Sequence, residues 1–147
     1  MKIWVINGPN INLLGQRETE IYGHKTYRDL IDYIEEEAYS LDIDVECFQS
    51  NHEGILIDWI HAGIGKVDGL IINAGGYTHT SIALMDAVKG SGITTVEVHI
   101  SNPKEREGFR KISYLSMVAS KTIEGKGFEG YKEALQWLRG NRDQEKR

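Results

Sequence analysis

The chain has 147 residues, of which 40% are hydrophobic and 27% are charged, a composition typical of one globular domain. Its formal net charge is −5, so we expect neither nucleic acid nor an anionic membrane surface as a partner. Cys47 is the single cysteine, which excludes an internal disulfide. Because no apolar run approaches the roughly 20 residues that span a bilayer, and no signal peptide is evident, we predict a soluble, cytoplasmic protein.

Five short apolar segments alternate with longer amphipathic segments, a pattern typical of βαβ units and a parallel sheet. Strands are predicted at residues 2–6, 44–49, 69–72, 94–98 and 120–124. The third and fourth are almost continuously apolar, as expected of strands that are covered on both faces. This order predicts the α/β class, with a flavodoxin-like, doubly wound, five-stranded parallel sheet and helices on both faces.

The segments between the strands have the period of amphipathic helices. Apolar side chains recur at steps of three and four over residues 27–41, and Thr26 with Asp29 has the spacing of a capping box. Further helices are predicted over the apolar segment 55–60, from about Thr80, and over residues 128–138. The charged residues 140–147 are predicted to be a frayed tail of a single catalytic domain, residues 1–147.

In doubly wound sheets, ligands bind beyond the carboxyl ends of the strands, where the strand order reverses. The connection after the first strand, residues 7–23, is far longer than the usual two to six or so residues, as in lids and binding loops. Its glycines match neither the dinucleotide fingerprint nor the P-loop, which disfavours a nucleotide-phosphate site. An irregular Ω-loop, with Tyr22 packed at its base and Arg17 in solvent, explains the composition equally well.

Residues 73–80 follow the third predicted strand, and their glycine pair, Gly75 and Gly76, lets the backbone approach a ligand closely. The helix start that follows offers free N–H groups to an anion. His79 and Asp86 are seven residues apart, so they share a helical face if the helix begins early. The alternative is a helix N-cap with a solvent-facing histidine.

At the end of the fourth strand, Glu97 and His99 are two residues apart, so their side chains lie on the same side of the strand. A carboxylate in that position orients the imidazole, which makes His99 a candidate general acid or base. Arg106 and Arg110 follow, and either could bind a carboxylate. The alternatives are a structural histidine and solvated arginines.

Metal-dependent and nucleophilic chemistry have less support. The five histidines show no H-x-x-x-H spacing, Cys47 has no second cysteine to form a zinc site, and no G-x-S-x-G elbow occurs. We therefore expect acid–base chemistry with neither a metal nor another cofactor.

Several short motifs follow one another along the chain: Asn-Gly-Pro-Asn at 7–10, Arg-Glu at 17–18, Tyr-Gly at 22–23, Gln-Ser-Asn-His-Glu-Gly at 49–54, Asn-Ala-Gly-Gly at 73–76, Glu-Val-His-Ile-Ser-Asn at 97–102, Ser-Tyr-Leu-Ser at 113–116 and Gly-Phe-Glu-Gly-Tyr at 127–131. In this order and spacing they resemble the type II 3-dehydroquinate dehydratases, or type II dehydroquinases, over residues 3–138. The resemblance implies a reversible anti elimination of water from 3-dehydroquinate to 3-dehydroshikimate through an enolate. This reaction belongs to the shikimate pathway to chorismate and the aromatic amino acids.

The resemblance also implies a role for each matching catalytic position. Tyr22 corresponds to the base that takes the proton alpha to the ketone, and Arg17 to the lid arginine that favours the tyrosinate. His99 corresponds to the acid that protonates the departing hydroxyl, with Glu97 orienting it. Asn10 corresponds to an asparagine near the enolate oxygen.

Six further positions match substrate-binding residues of the family: Asn73, His79, Asp86, Ile100, Ser101 and Arg110. The backbone and hydroxyl at residues 100–101 would receive the substrate carboxylate. Asp86 would reach the site of a neighbouring subunit in a dodecamer built as a tetramer of trimers. Thr19 and Gly108 stand where the family commonly has proline and glutamate, so we expect a more flexible lid and a looser short helix around the two arginines.

Two alternatives to this function stay open. A flavodoxin-like binding module could keep the pocket without turnover, although every matched catalytic group is present. The same reaction could also serve the breakdown of quinate.

Overall fold

Five parallel strands form one sheet in the order β2-β1-β3-β4-β5. The strands are β1 (Lys2–Asn7), β2 (Asp44–Gln49), β3 (Gly69–Asn73), β4 (Thr95–His99) and β5 (Lys121–Glu124). The computed structural model describes residues 1–16 and 19–146, and for residues 21 and 22 it describes the backbone alone. Every predicted strand is present within one residue of its predicted bounds, and the strand order confirms the flavodoxin-like fold class.

The helices are α1 (Thr19–Tyr22), α2 (Tyr27–Ser40), α3 (Glu53–Gly63), α4 (Ile82–Ser91) and α5 (Glu129–Glu145). Helices α2 and α5 cover one face of the sheet, and α3 and α4 cover the other. The capping box predicted at the start of α2 is confirmed, because Asp29 N donates to Thr26 Oγ1 over 3.1 Å and Thr26 N donates to Asp29 Oδ2 over 2.9 Å. Within the described ranges, none of the helices combines the length and apolar character needed to cross a membrane.

The alternation of side chains along β1 divides the core between the two faces of the sheet. Ile3 and Val5 pack with α2 and α5, whereas Trp4 and Ile6 pack with α3 and α4. Strands β3 and β4 are buried along their whole length, as predicted for strands with helices on both faces. Burial of each such aliphatic side chain contributes about 1.5–3 kcal/mol to the free energy of unfolding. These central strands therefore form a stable support for the residues at their ends.

Helix α5 continues to Glu145, into the segment 140–147 that was predicted to fray. Arg142 NH1 donates to Asp68 Oδ2 over 2.9 Å, which ties the last turns of α5 to the residue before β3. Such a polar contact leaves no apolar period in the sequence, so periodicity ends the helix too early.

The ends of β1 and β3 are joined directly beyond their last paired residues. Gly8 N donates to Asn73 O over 2.7 Å. A Cβ on Gly8 would lie 2.5 Å from the carbonyl oxygen of Ala74, closer than a carbon and an oxygen can approach without displacing the backbone. Glycine at position 8 therefore allows the ends of the two strands to lie in contact, and the candidate site lies next to this contact.

We expect Gly8→Ala to lower the free energy of unfolding by about 1–3 kcal/mol, because the Ala74 backbone has to move. Gly90→Ala is the matched control, since that glycine lies in α4 and a Cβ there meets no atom within 4 Å. The control should raise stability by up to about 1 kcal/mol, because glycine weakens a helix. Urea unfolding measures both variants, and a wild-type value for Gly8→Ala would contradict the close approach.

Candidate active site

A cavity of about 110 Å³ lies beyond the carboxyl ends of β1, β3 and β4. It is at the switch point of the sheet, because the chain leaves β1 toward β2 on one side and returns to β3 on the other. Its lining includes these predicted site residues: Asn10, Asn73, His79, His99, Ile100, Ser101 and Arg110. Three separate connections thus bring the predicted residues to one place.

The connection after β1 places Asn10 in a left-handed backbone conformation, with φ 68°. That conformation costs an L-residue about 1–2 kcal/mol, and asparagine tolerates it better than most. The Asn10 N–H donates to Oδ1 of Asn51 over 3.1 Å, and Gln49 Nε2 donates to the same oxygen over 3.2 Å. Residues at the end of β2 therefore hold the loop that presents Asn10 to the cavity.

Asn73 belongs to a buried chain of three hydrogen-bonded polar side chains. The hydroxyl of Tyr131, on α5, donates to Asn7 Oδ1 over 2.7 Å and accepts from Asn73 Nδ2 over 3.0 Å. Burial raises the pKa of Tyr131, although the Asn73 hydrogen bond acts in the opposite direction, so the phenol stays neutral and keeps its proton to donate. Asn73 Oδ1 in turn accepts from Gly75 N over 3.2 Å. The chain therefore fixes both Asn73 and the start of the turn that follows β3.

The ring of His79 is oriented by a backbone carbonyl. Its Nδ1 lies 2.6 Å from Ile112 O, and because a carbonyl only accepts, Nδ1 carries the proton and Nε2 is left for a ligand. Helix α4 begins at Ile82, two residues after Thr80, near which its start was predicted, and the Ser81 hydroxyl caps it. The early start that would put His79 and Asp86 on one helical face is therefore not observed, because His79 ends a separate 3-10 helix.

At the end of β4, Glu97 holds His99 as their spacing predicts. Nε2 of His99 lies 2.6 Å from Oε2 of Glu97, which confirms the predicted contact. Both residues are buried, with 1% of Glu97 and 7% of His99 exposed. An ionised carboxylate can only accept, so Nε2 carries a proton and Nδ1 is the nitrogen that remains for a ligand.

The Glu97 carboxyl is ionised in spite of its burial. Loss of water by itself raises the pKa of Glu97, but the hydrogen bond and charge of His99 and hydrogen bonds from Ser113 and Ser116 outweigh this effect and lower it to about 2. Both serine hydroxyls donate to the carboxylate over 2.6 Å. Above that pH the pair therefore places a fixed negative charge beside the imidazole of His99.

Two arginines that follow β4 line the cavity, Arg106 and Arg110. Arg110 Nε donates to Glu107 Oε2 over 2.8 Å, so its terminal nitrogens are the ones that can hold a ligand carboxylate. The short helix that contains Gly108 carries Arg110 but not Arg106, which follows the preceding 3-10 helix. Two guanidinium groups beside a cavity of this size favour a small anionic ligand.

Some predicted site positions lie outside this arrangement. Arg17 falls outside the described residues, and of Tyr22 the backbone alone is described, at the end of α1. Asp86 is exposed on α4 and is not among the residues that line the cavity. In the described part of the chain, no group of three or more His, Cys, Asp or Glu side chains is placed to hold a metal ion. The roles of Arg17, Tyr22 and Asp86 stay predictions.

Reasoning from the sequence missed the residues that hold the site in place. Gln49 and Asn51 hold the loop with Asn10, and Tyr131 holds Asn73. All three lie in segments that resemble the family, and that position was the one available signal. The carbonyl of Ile112 is a backbone group, so no side chain could have indicated its contact with His79.

The chain resembles known proteins over most of its length. A family model described as dehydroquinase class II matches residues 1–139. The chain is 54% identical over 142 residues to the 3-dehydroquinate dehydratase of Clostridium perfringens, covering 96% of this chain and 97% of that protein. It is 52% identical over 135 residues to a Fusarium vanettenii protein named catabolic 3-dehydroquinase 1, covering 92% and 94%. The crystal structure of type II dehydroquinase from Butyrivibrio crossotus matches with a TM-score of 0.92 at 50% identity, covering 94% of this chain and 97% of that chain.

We expect Glu97 to contribute to acid unfolding between pH 4.5 and about 2. Its pKa is about 2 in the folded protein and near 4.5 without these contacts, so its stabilisation is complete above 4.5 and is lost as the pH falls through the folded value. Glu97→Gln lacks this contribution, so its free energy of unfolding should be lower at pH 7 and should vary less over the same interval. Urea unfolding at each pH measures the difference, and parallel curves for the two proteins would show that the carboxyl has an ordinary pKa.

Proposed function

This chain belongs to the class II dehydroquinase family, and we propose that it is a 3-dehydroquinate dehydratase, a hydro-lyase of the shikimate pathway. The reaction removes water from 3-dehydroquinate and gives 3-dehydroshikimate. The observation that carries the proposal is the buried Glu97–His99 pair at a cavity that two arginines also line. An oriented proton donor beside cationic groups suits the elimination of water from an anionic substrate.

The substrate is bound by groups from two strand ends. The backbone and hydroxyl at residues 100–101 receive its carboxylate, and Arg110 adds a cation on the same side of the sheet. Asn73 and His79 bind polar groups of the ring. Because Nδ1 of His79 is committed to a carbonyl, its Nε2 accepts from a substrate hydroxyl.

Tyr22 is the base, and it takes the proton alpha to the ketone. A free phenol has a pKa of about 10 and is a poor base at neutral pH. Arg17 favours the phenolate, because a guanidinium stabilises a nearby negative charge, most strongly where water is excluded. The electron pair of the broken C–H bond forms an enolate, and Asn10 provides a polar group near the enolate oxygen.

His99 completes the elimination on the opposite face of the substrate ring. Its imidazolium gives a proton to the departing hydroxyl, the C–O bond breaks with its electron pair, and the enolate becomes a conjugated enone. Water leaves, Tyr22 holds the abstracted proton and His99 is neutral. One proton then passes from the phenol to the imidazole through solvent before the next turnover, while Glu97 keeps the ring oriented.

On this proposal, residues 1–147 are a single catalytic domain that works in the cytoplasm without a cofactor. The cavity uses residues from position 9 to position 110, so most of the sheet contributes to one site. Burial raises the pKa of Cys47 to about 12, with a smaller contribution from the charge of Glu35, so its thiol is unreactive. Cys47 is a free, half-buried thiol, and free thiols are typical of proteins in a reducing compartment such as the cytoplasm.

We expect ultraviolet absorbance to rise when the protein is mixed with 3-dehydroquinate, because the product is a conjugated enone. No signal at high enzyme concentration would contradict the proposed function. Calorimetry of the same mixture distinguishes the alternative, a non-catalytic binding module, which would bind the substrate without turnover.

Tyr22→Phe is the matched variant for this assay. It should lose nearly all turnover while binding the substrate about as well as the wild type, because the phenol oxygen alone is removed. Tyr39→Phe is the control, since Tyr39 is 89% exposed on α2, and it should keep the wild-type rate. A wild-type rate for Tyr22→Phe would show that another group is the base.

The site is completed in a dodecamer built as a tetramer of trimers, in which Asp86 of the partner subunit reaches the cavity. Two observations support this part of the proposal. Asp86 is exposed on α4. Large exposed apolar side chains also lie on α4 and on the segment that ends at residue 117 beside it: Ile82, Phe109, Ile112 and Met117. Such side chains, when close together, are typical of subunit contacts.

We expect light scattering to give a mass of about 200 kDa, twelve chains of 16.6 kDa. Ile82→Glu should lower this mass and kcat/KM together, because the partner contribution is lost. Tyr39→Glu, on a different helix, should change neither. A monomeric mass with full activity would contradict both the assembly and the shared site.

A further inference from the structure

The carboxylate of Glu97 is surrounded by hydroxyl groups in addition to His99. Ser113 Oγ donates to Oε2 over 2.6 Å, next to the His99 contact on the same oxygen. Ser116 Oγ and Thr122 Oγ1 donate to Oε1 over 2.6 and 3.0 Å. Four donors therefore converge on a side chain that is 1% exposed.

These hydroxyls come from two different parts of the fold. Thr122 is the direct neighbour of Glu97 in the pairing of β4 with β5, so the sheet register sets its position. Ser113 and Ser116 lie on either side of the start of a 3-10 helix, and the Ser116 N–H also donates to Ser113 Oγ over 3.1 Å. One turn of backbone thus delivers one serine hydroxyl to each carboxylate oxygen.

The chemistry of these groups determines the state of Glu97. A carboxylate has about four acceptor positions, and four donors occupy them. If the carboxyl were protonated, one of its oxygens would donate a hydrogen bond and would lose one that it now accepts. The four donors around it therefore favour the ionised form. The carboxylate is therefore ionised and cannot rotate without losing hydrogen bonds on both oxygens.

We propose that Ser113, Ser116 and Thr122 are positioning residues for the dehydration. Their hydroxyls hold the Glu97 carboxylate in one orientation, Glu97 then keeps the proton of neutral His99 on Nε2, and Nδ1 is thereby the nitrogen that exchanges a proton with the substrate. None of the three touches the reacting atoms. Nothing in their spacing from His99 along the chain indicates this function, which depends on contacts 16 to 25 residues from Glu97.

This inference rests on the proposed function, so its test has one readout that requires turnover and one that does not. The test variant is Ser116→Ala with Thr122→Val, which removes both donors to Oε1 and keeps Ser113, the hydroxyl donor to Oε2. Thr122→Ser, made alone, keeps the hydroxyl at this position and removes the methyl group. Thr95→Val is the matched control, because Thr95 is a buried threonine on β4 whose hydroxyl donates to Ile93 O.

In the enone assay, the double variant should lose kcat on the order of tenfold with KM changed less than about twofold, because proton delivery and not binding is impaired. Thr122→Ser alone should stay near the wild-type rate, and Thr95→Val should match the wild type. The same double substitution in a Glu97→Gln background should cause little further loss, because the hydroxyls act through the carboxylate. A full, additive loss in that background would overturn the proposal.

The second readout is the tautomer of His99, measured by ¹⁵N NMR of the ligand-free protein at a pH raised until the His99 signals no longer change. The His99 signals are identified by their absence in His99→Gln. Wild type and Thr95→Val should show the proton on Nε2, whereas the double variant and Glu97→Gln should show a mixture of tautomers. An unchanged tautomer in the folded double variant would overturn the proposal. If the wild type lacked turnover but showed this pattern, the function would fail and the positioning would stand.

Discussion

The carboxylate of Glu97 carries a full negative charge in the interior of the protein, and the site depends on how that charge is compensated. An isolated charge at such a position costs several kcal/mol, so the chain has to supply donors on every side. His99 provides one, and the others come from β5 and from the 3-10 segment after Arg110. These contacts bring β5 and the segment after Arg110 together around Glu97.

The same segment serves both histidines of the cavity. The Ile112 carbonyl accepts a hydrogen bond from Nδ1 of His79. The hydroxyls of Ser113 and Ser116 donate to the Glu97 carboxylate, which in turn accepts from Nε2 of His99. Each ring therefore has one nitrogen committed to the protein and the other left for the substrate. The protein holds Nδ1 of His79 but Nε2 of His99, so the segment 112–116 helps to orient the two rings differently.

The other wall of the site is held by amides and a phenol rather than by charge. Tyr131 links Asn7 and Asn73 beneath the joined ends of β1 and β3, and Asn51 fixes the left-handed backbone at Asn10. These contacts lie at the switch point, where two connections diverge and leave room for a ligand. The cavity therefore has fixed amides at the ends of β1 and β3 and an oriented imidazole at the end of β4.

The sequence by itself determined the layers and the first contact of the site. Apolar periodicity placed all five strands within one residue, and a period of two placed Glu97 beside His99, because both patterns are local and follow from backbone geometry alone. The end of α5, the contact of His79 with the Ile112 carbonyl, and the hydroxyls around Glu97 were decided by tertiary structure. Each of these depends on polar groups that are distant in the chain or belong to the backbone, and such contacts leave no period in the sequence. They form only when the sheet register and the packed helices bring the partners within hydrogen-bonding distance.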